Sequence, residues 1–321
     1  MMSIKLVLGI DIGGTNTVFG LIDQEGNEYL MSSIPTNSNQ PPEDLFNRLF
    51  LKFDELTKKI NIDFHLVGIG IGAPNANYYK KTIEYPPNLR WGYVEVENII
   101  KKFYTQPIAL TNDANAAALG EMYYGAAKGM KNFIVITLGT GLGSGIVVDG
   151  NLVYGNDGFA GEIGHTVVFP DGRQCGCGKK GCLETYASAP GIKRTVLELL
   201  SKYNYESKFR KLSFDDFDAK MITDAALEGD EIALKAFDFT AKILGMKLAD
   251  AVAHTSPEAI ILFGGLANAG DLLLIPTKRY MEEYLFHVFK NKVKIIKSEL
   301  NEGKSAVLGA AALIWHDILK K

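Results

Sequence analysis

A glycine turn set between two apolar runs occurs twice in this chain. Lys5 to Ile12, Gly13-Gly14-Thr15 and Thr17 to Asp23 make the first copy. The stretch from Phe133 through Val148 makes the second, with Gly139-Thr140-Gly141 standing where Gly13-Gly14-Thr15 stood. Apolar runs bounded by turn residues read as hairpin-connected strands, and a device used twice reads as duplication. The chain is therefore expected to be an α/β protein built of two related halves.

The segments around the two copies fit such halves. Glu25-Gly26-Asn27 leads into a further strand over Glu28 to Ile34. From Pro41 to Ile60 the apolar residues Leu45, Phe46, Leu49, Phe50, Phe53, Leu56 and Ile60 recur at spacings of three and four, with Pro42 and Glu43 suited to a first turn, which predicts an amphipathic helix. Leu66 to Gly72 and Pro107 to Thr111 read as short buried strands, followed by an alanine-rich helix over Asp113 to Ala127. Strand ends are where active sites gather in open α/β sheets. Beyond Glu184, periodic runs predict helices over Ile192 to Lys202, Thr223 to Leu227 and Glu231 to His254, while Ala259 to Phe263 and Val293 to Ile296 read as strands. Ser305 to Leu319 closes the chain with a helix whose apolar face needs a partner. No linker composition marks a boundary. The pattern places the junction near residue 112: a smaller domain over 1–111, joined by the C-terminal helix at about 304–321, and a larger one over 112–303.

A length of 321 residues, 47% of them hydrophobic and 22% charged, suffices for two ordinary cores. The formal net charge is -3 and no block of five like charges occurs, so a nucleic-acid partner is not expected. Asp11 interrupts the first apolar run before it reaches signal-peptide length, and four glycines and two threonines break the uncharged stretch Asn132 to Val148. Neither secretion nor a membrane span is expected. Three cysteines, an odd number, argue against a disulfide framework and for reduced thiols in a cytoplasmic protein.

Glycine turns between strands can aim backbone amides at an anion while absent side chains let phosphate oxygens approach. The first turn lacks the Gly-Lys-Ser/Thr ending of a P-loop and opens no helix, so neither that motif nor a dinucleotide fingerprint applies. Leu262-Phe-Gly-Gly-Leu266 adds a third glycine turn at a strand end. A nucleotide held between two domains would use all three turns, with Asp11, Gly13, Gly14, Thr15, Asn16, Thr140, Gly141, Gly264 and Gly265 as candidate contacts; plain tight turns are the other reading. Asp11 is placed to orient a magnesium ion through water, or else to be a strand-end carboxylate satisfied by turn amides.

His165 and the run Cys175-Gly-Cys177-Gly-Lys-Lys-Gly-Cys182 lie in a polar, glycine-rich segment unsuited to a hydrophobic core. Three thiolates and one imidazole are the donors of a closed tetrahedral zinc site, and the glycines let the loop fold around so small a centre. With four protein ligands no position stays open for water. The expected metal is therefore structural.

Gly9-Ile-Asp-Ile-Gly-Gly-Thr15, Asn112-Asp-Ala-Asn115, Gly139-Thr-Gly141, Gly161-Glu-Ile-Gly-His165 and Cys175-Gly-Cys-Gly-Lys-Lys-Gly-Cys-Leu-Glu184 together resemble the ROK family, which contains repressors and sugar kinases. The resemblance runs from Gly9 to the helix after Val307. It implies a two-domain actin-like ATPase (ribonuclease H-like) fold with a cleft between the duplicated halves. It also implies ATP-dependent phosphorylation of a hexose, glucose first, with N-acetylmannosamine, N-acetylglucosamine or another hexose as alternatives. A homodimer is implied by the family alone.

Asp113 follows a buried strand and opens a helix, a position from which a carboxylate can take the proton of a sugar hydroxyl or cap the helix. The resemblance favours the base. By resemblance, too, Asn88, Asn112, Glu162, His165 and Glu184 bind sugar hydroxyls. Two positions depart from the family pattern: Asn75 stands after Pro74 where glycine is usual, and Ser144 replaces a frequent glycine in the second turn. Asparagine tolerates positive φ, so the first loop is expected to survive. Family repressors carry a helix-turn-helix ahead of the first glycine turn, whereas eight residues precede Gly9, which favours the kinase.

Overall fold

The computed structural model describes residues 3–60, 62–300 and 302–319. Met1, Met2, Asn61, Asn301, Lys320 and Lys321, which fall within the expected domain spans, lie outside the described residues. The chain opens with β1 (Ile4–Ile12), β2 (Asn16–Ile22), β3 (Glu28–Pro35), α1 (Pro42–Thr57) and β4 (Phe64–Gly72). Next come β5 (Ala76–Asn77), β6 (Thr82–Glu84), β7 (Tyr93–Glu95), α2 (Val96–Ile100), β8 (Ile108–Thr111) and α3 (Asp113–Tyr124). The second copy of the turn device supplies β9 (Phe133–Leu138) and β10 (Leu142–Val148), followed by β11 (Asn151–Leu152). The remainder is α4 (Ala189–Lys202), α5 (Ala219–Leu227), α6 (Glu231–Thr255), β12 (Ala259–Phe263), α7 (Asp271–Tyr284), β13 (Lys294–Lys297) and α8 (Glu302–Leu319).

Two five-stranded sheets have the orders β3-β2-β1-β4-β8 and β11-β10-β9-β12-β13. In the first, β1 pairs antiparallel with β2 and parallel with β4, which runs parallel to β8. In the second, β9 pairs antiparallel with β10 and parallel with β12, which runs parallel to β13. The second sheet thus repeats the first in order and direction, the duplication that the paired glycine turns imply. The uncharged stretch Asn132 to Val148 is the β9–β10 hairpin, and among the described residues no helix is long and apolar enough to cross a membrane.

The chain forms two compact units: Met1–Gly129 with Leu152–Ala160 and Glu299–Lys321, and Met130–Asn151 with Gly161–Ser298. The division after Gly129 differs from the junction expected near residue 112. Its cause is the packing of α3 against α8: Gly309 of α8 comes so close to α3 that a Cβ there would collide with the Ala116 carbonyl. That contact keeps α3 in the first unit. α8 also lies flat on the first sheet, where a side chain at Gly9 would meet the Val307 carbonyl and one at Gly70 the Ala310 carbonyl. These strand glycines make room for a helix backbone.

The face predicted for α1 is the buried one: Leu45, Phe46, Leu49, Phe50 and Phe53 pack into the first core, each such burial being worth about 2 kcal/mol. In the second unit Ile243, Leu244 and Leu248 of α6 share a core with Ile134, Ile136, Ile260 and Leu262. The small antiparallel sheet β5-β6-β7 has strands of only two or three residues and leaves no periodic trace in the sequence. α7 is disguised by Pro276 in its interior.

Candidate active site and metal centre

In the first unit β1, β4 and β8 are parallel and end at one edge, with Asp11 beside Gly72 and Gly72 beside Thr111. The chain then turns into α3. Asn112 is the N-cap: its Oδ1 accepts from the Asn115 amide at 2.7 Å. Asp113 is therefore relieved of the capping role, and accepts from the Ala114 amide at 3.0 Å. Burial pushes its carboxyl above the usual range, and the amides of Ala114 and Asp113 itself pull partly back. Asp113 keeps an accessible surface, so water screens part of that penalty. Asp11 is raised to about 7, by burial first and by the negative charge of Asp113 second. Two carboxylates that repel each other at a strand edge are a site prepared for cations or protons.

The first glycine turn is closed by the Gly13 amide donating to the Asn16 carbonyl at 3.0 Å. Thr36, which belongs to no sequence motif, holds it from outside: its amide donates to Thr15 O at 2.8 Å and its hydroxyl to Gly13 O at 2.7 Å. The Gly13 N–H is thus used within the turn, while Thr15 and Asn16 are exposed. Asn88 lies against Gly14, where a Cβ would come within 3.1 Å of the Asn88 carbonyl oxygen. The structure therefore gathers Asp11 and Asp113, and the first turn with Asn88.

In the second unit the Gly139 amide closes its own turn on Gly141 O at 3.0 Å. Gly264 sits at the root of that hairpin, with φ +99 and with Leu138 O 2.8 Å from where a Cβ would be, so Thr140, Gly141, Gly264 and Gly265 belong to one neighbourhood. Glu184 joins it unexpectedly. Its Oε2 accepts from the Leu142 amide at 3.0 Å, an approach that a side chain at Gly141 would block. Ser144, a departure from the family pattern, ties two segments together, since its hydroxyl donates to Gly161 O and accepts from the Ile163 amide at 3.2 Å. This fastens β10 to the short 3-10 turn that carries His165, with Glu162 exposed at its start.

His165, Cys175, Cys177 and Cys182 each offer one ligand atom, and all four atoms lie within 4.8 Å of one another. The Cys175 Sγ to His165 Nδ1 and the Cys177 Sγ to Cys182 Sγ distances are both 3.7 Å. With metal–sulfur bonds of about 2.3 Å, a tetrahedral centre has edges of about 3.8 Å, so the donors fit in number, chemistry and spacing. Burial pushes the Cys175 thiol up to about 12, a cost that a cation between the sulfurs offsets. The cluster could hold a metal ion. Lys179 donates to His165 O at 2.8 Å and fixes the loop, while Cys175 Sγ lies 3.6 Å from Glu184 Oε1. Glu184 thereby spans from the thiol cluster to the second glycine hairpin. Arg173, almost fully buried, ties the loop entrance to α4 through Thr185 O, Gly191 O, Thr195 and Glu198. No sequence signal distinguishes it from a surface arginine.

The ROK family model matches residues 7–317. A glucokinase of Halalkalibacterium halodurans is 38% identical over 292 residues, 88% of this chain and 87% of that one. The crystal structure of a ROK family glucokinase from Streptomyces griseus in complex with glucose and AMPPNP superposes with a TM-score of 0.79 at 32% identity, covering 96% of this chain and 98% of that one. A xylose repressor of Caldicellulosiruptor bescii is 30% identical over 316 residues, 98% of this chain but 79% of the repressor. The duplicated sheets are those of the actin-like ATPase fold of these sugar kinases. By the extent of the family match and the identity to its members, this chain belongs to the ROK family.

Proposed function

We propose that this protein transfers the γ-phosphoryl group of ATP to the O6 hydroxyl of a hexose, glucose first, giving glucose 6-phosphate and ADP. The chain is a sugar kinase. The observation that carries the finer reading is the division of labour at the end of β8: Asn112 caps α3, and Asp113 is left with an elevated carboxyl beside Asp11. A carboxylate whose pKa is raised by burial is a stronger base than an ordinary one and suits the abstraction of a hydroxyl proton. Asp113 takes the proton of the sugar hydroxyl as that oxygen attacks the γ-phosphorus, the bond to the β-phosphate oxygen breaks, and ADP leaves. Asn88, Asn112, Glu162, His165 and Glu184 orient the sugar. Amides and side chains of Gly13, Gly14, Thr15, Asn16, Thr140, Gly141, Gly264 and Gly265 receive the nucleotide. Asp11 would be the residue to hold magnesium bound with ATP, which would supply neutralisation of phosphate charge. His165, Cys175, Cys177 and Cys182 hold structural zinc.

Glucose is supported by the glucokinase relatives and by the glucose held in the Streptomyces griseus structure. An N-acetylhexosamine is the alternative substrate. A sugar-responsive regulator of the cytoplasm is a second reading, favoured by the xylose repressor likeness, and sugar-dependent DNA binding with no phosphorylation would support it. For the kinase, Asp113→Ala is expected to lower kcat at least about 10²-fold with zinc content unchanged. A near-normal rate in that variant removes Asp113 from the base role.

A further inference from the structure

We propose that Asn75 is a positioning residue for the loop that carries Asn88, and that it thereby sets the KM for the sugar. The inference rests on the reading of Asn88 as a sugar contact. Asn75 stands three residues past the end of β4, in the left-handed region at φ 53. Its side-chain amide donates twice, to Glu84 O and to Tyr85 O, both at 3.1 Å, and its own carbonyl accepts from the Glu84 amide at 3.0 Å. Tyr85 is itself left-handed, at φ 48, directly before Pro86. A residue before proline is pushed toward extended backbone, and a bulky side chain makes positive φ costlier still. Tyr85 is held against both preferences.

Such a conformation persists only where its surroundings enforce it. At the far end of the loop Trp91 Nε1 donates to Gln40 O at 3.0 Å and the Arg90 amide to Ser38 O at 3.2 Å. At the near end the holders are the Tyr85 amide, which donates to Gly92 O at 3.0 Å, and the Asn75 side chain. Pro86-Pro87 then passes the geometry on to Asn88, which lies against Gly14 of the first glycine turn. Glycine at position 75 would adopt the same backbone angles and offer no donors. The asparagine that departs from the family pattern thus supplies a clamp that glycine lacks.

Asn75→Gly keeps the backbone accessible and removes both donors; Asn75→Asp also tolerates positive φ but faces an acceptor toward two carbonyl oxygens. The bonds are solvent-exposed, so each contributes at the low end of the ordinary range, and Asn75→Gly is expected to raise the sugar KM about three- to fivefold. Asn75→Asp should raise it further, and in both variants the KM for the sugar should rise by more than the KM for ATP. The experiment is steady-state kinetics of the wild type and both variants, varying glucose and ATP separately, with folding checked by thermal melting. A sugar KM in Asn75→Gly within twofold of wild type, or an effect of Asn75→Asp no larger than that of Asn75→Gly, overturns the clamp. A wild type that phosphorylates no hexose overturns instead the functional reading on which it stands.

Discussion

Asn112 and Asp113 are neighbours with different employment, and that difference is the most informative thing about the first unit. The sequence offered Asp113 as base or as cap of α3; the structure gives the cap to Asn112 instead. The Asn112 side-chain oxygen spends one lone pair on the Asn115 amide, which fixes the side chain and leaves its amide nitrogen to donate in the sugar contact proposed for Asn112. Asp11 carries a second consequence. Its pKa is raised to about 7 in the folded state, so the folded protein binds more protons than the unfolded chain between about pH 4 and about pH 7. Stability from this group is therefore fully present below the unfolded pKa, and declines as pH rises through the folded one. Asp11→Asn removes that dependence. Thermal melts without nucleotide or magnesium should show wild type losing ground to Asp11→Asn between pH 5 and pH 8, and a constant difference across that range would contradict the assigned environment.

At the level of elements, the thiol loop and the second glycine hairpin behave as one assembly. Glu184 accepts from the Leu142 amide with one oxygen and faces Cys175 with the other, and Ser144 fastens β10 to the turn that bears His165. The sequence made the four donors legible through their spacing, but the Glu184 and Ser144 ties depend on backbone groups distant in the chain and leave no pattern to read. The same holds for Thr36 on the first turn. Removing the metal with a strong chelator is expected to expose three titratable thiols per chain, lower the melting temperature and raise the sugar KM, because the turn carrying Glu162 and His165 loses its brace. Chelated protein with native melting and native kinetics would show the cluster to be dispensable. Helices and long strands were readable from periodicity, as α1 and α6 show. α7 was hidden by Pro276, and β5 to β7 by strands too short for alternation to register.

For the whole molecule, the paired glycine turns announced the duplication, and the two sheets repeat one another in order and direction. The unit boundary was less legible, because the packing of small residues between α3 and α8 joins segments nearly two hundred positions apart. The ROK family contains glucokinases and xylose repressors at similar identity to this chain, so fold alone does not select the activity. The central claim is hexose phosphorylation, and the direct measurement is ADP release by the wild-type protein with ATP and magnesium across a panel of glucose, other hexoses and N-acetylhexosamines. We expect release that requires sugar, matches it in stoichiometry and is fastest with glucose. No sugar-dependent release with any member of the panel would contradict the account.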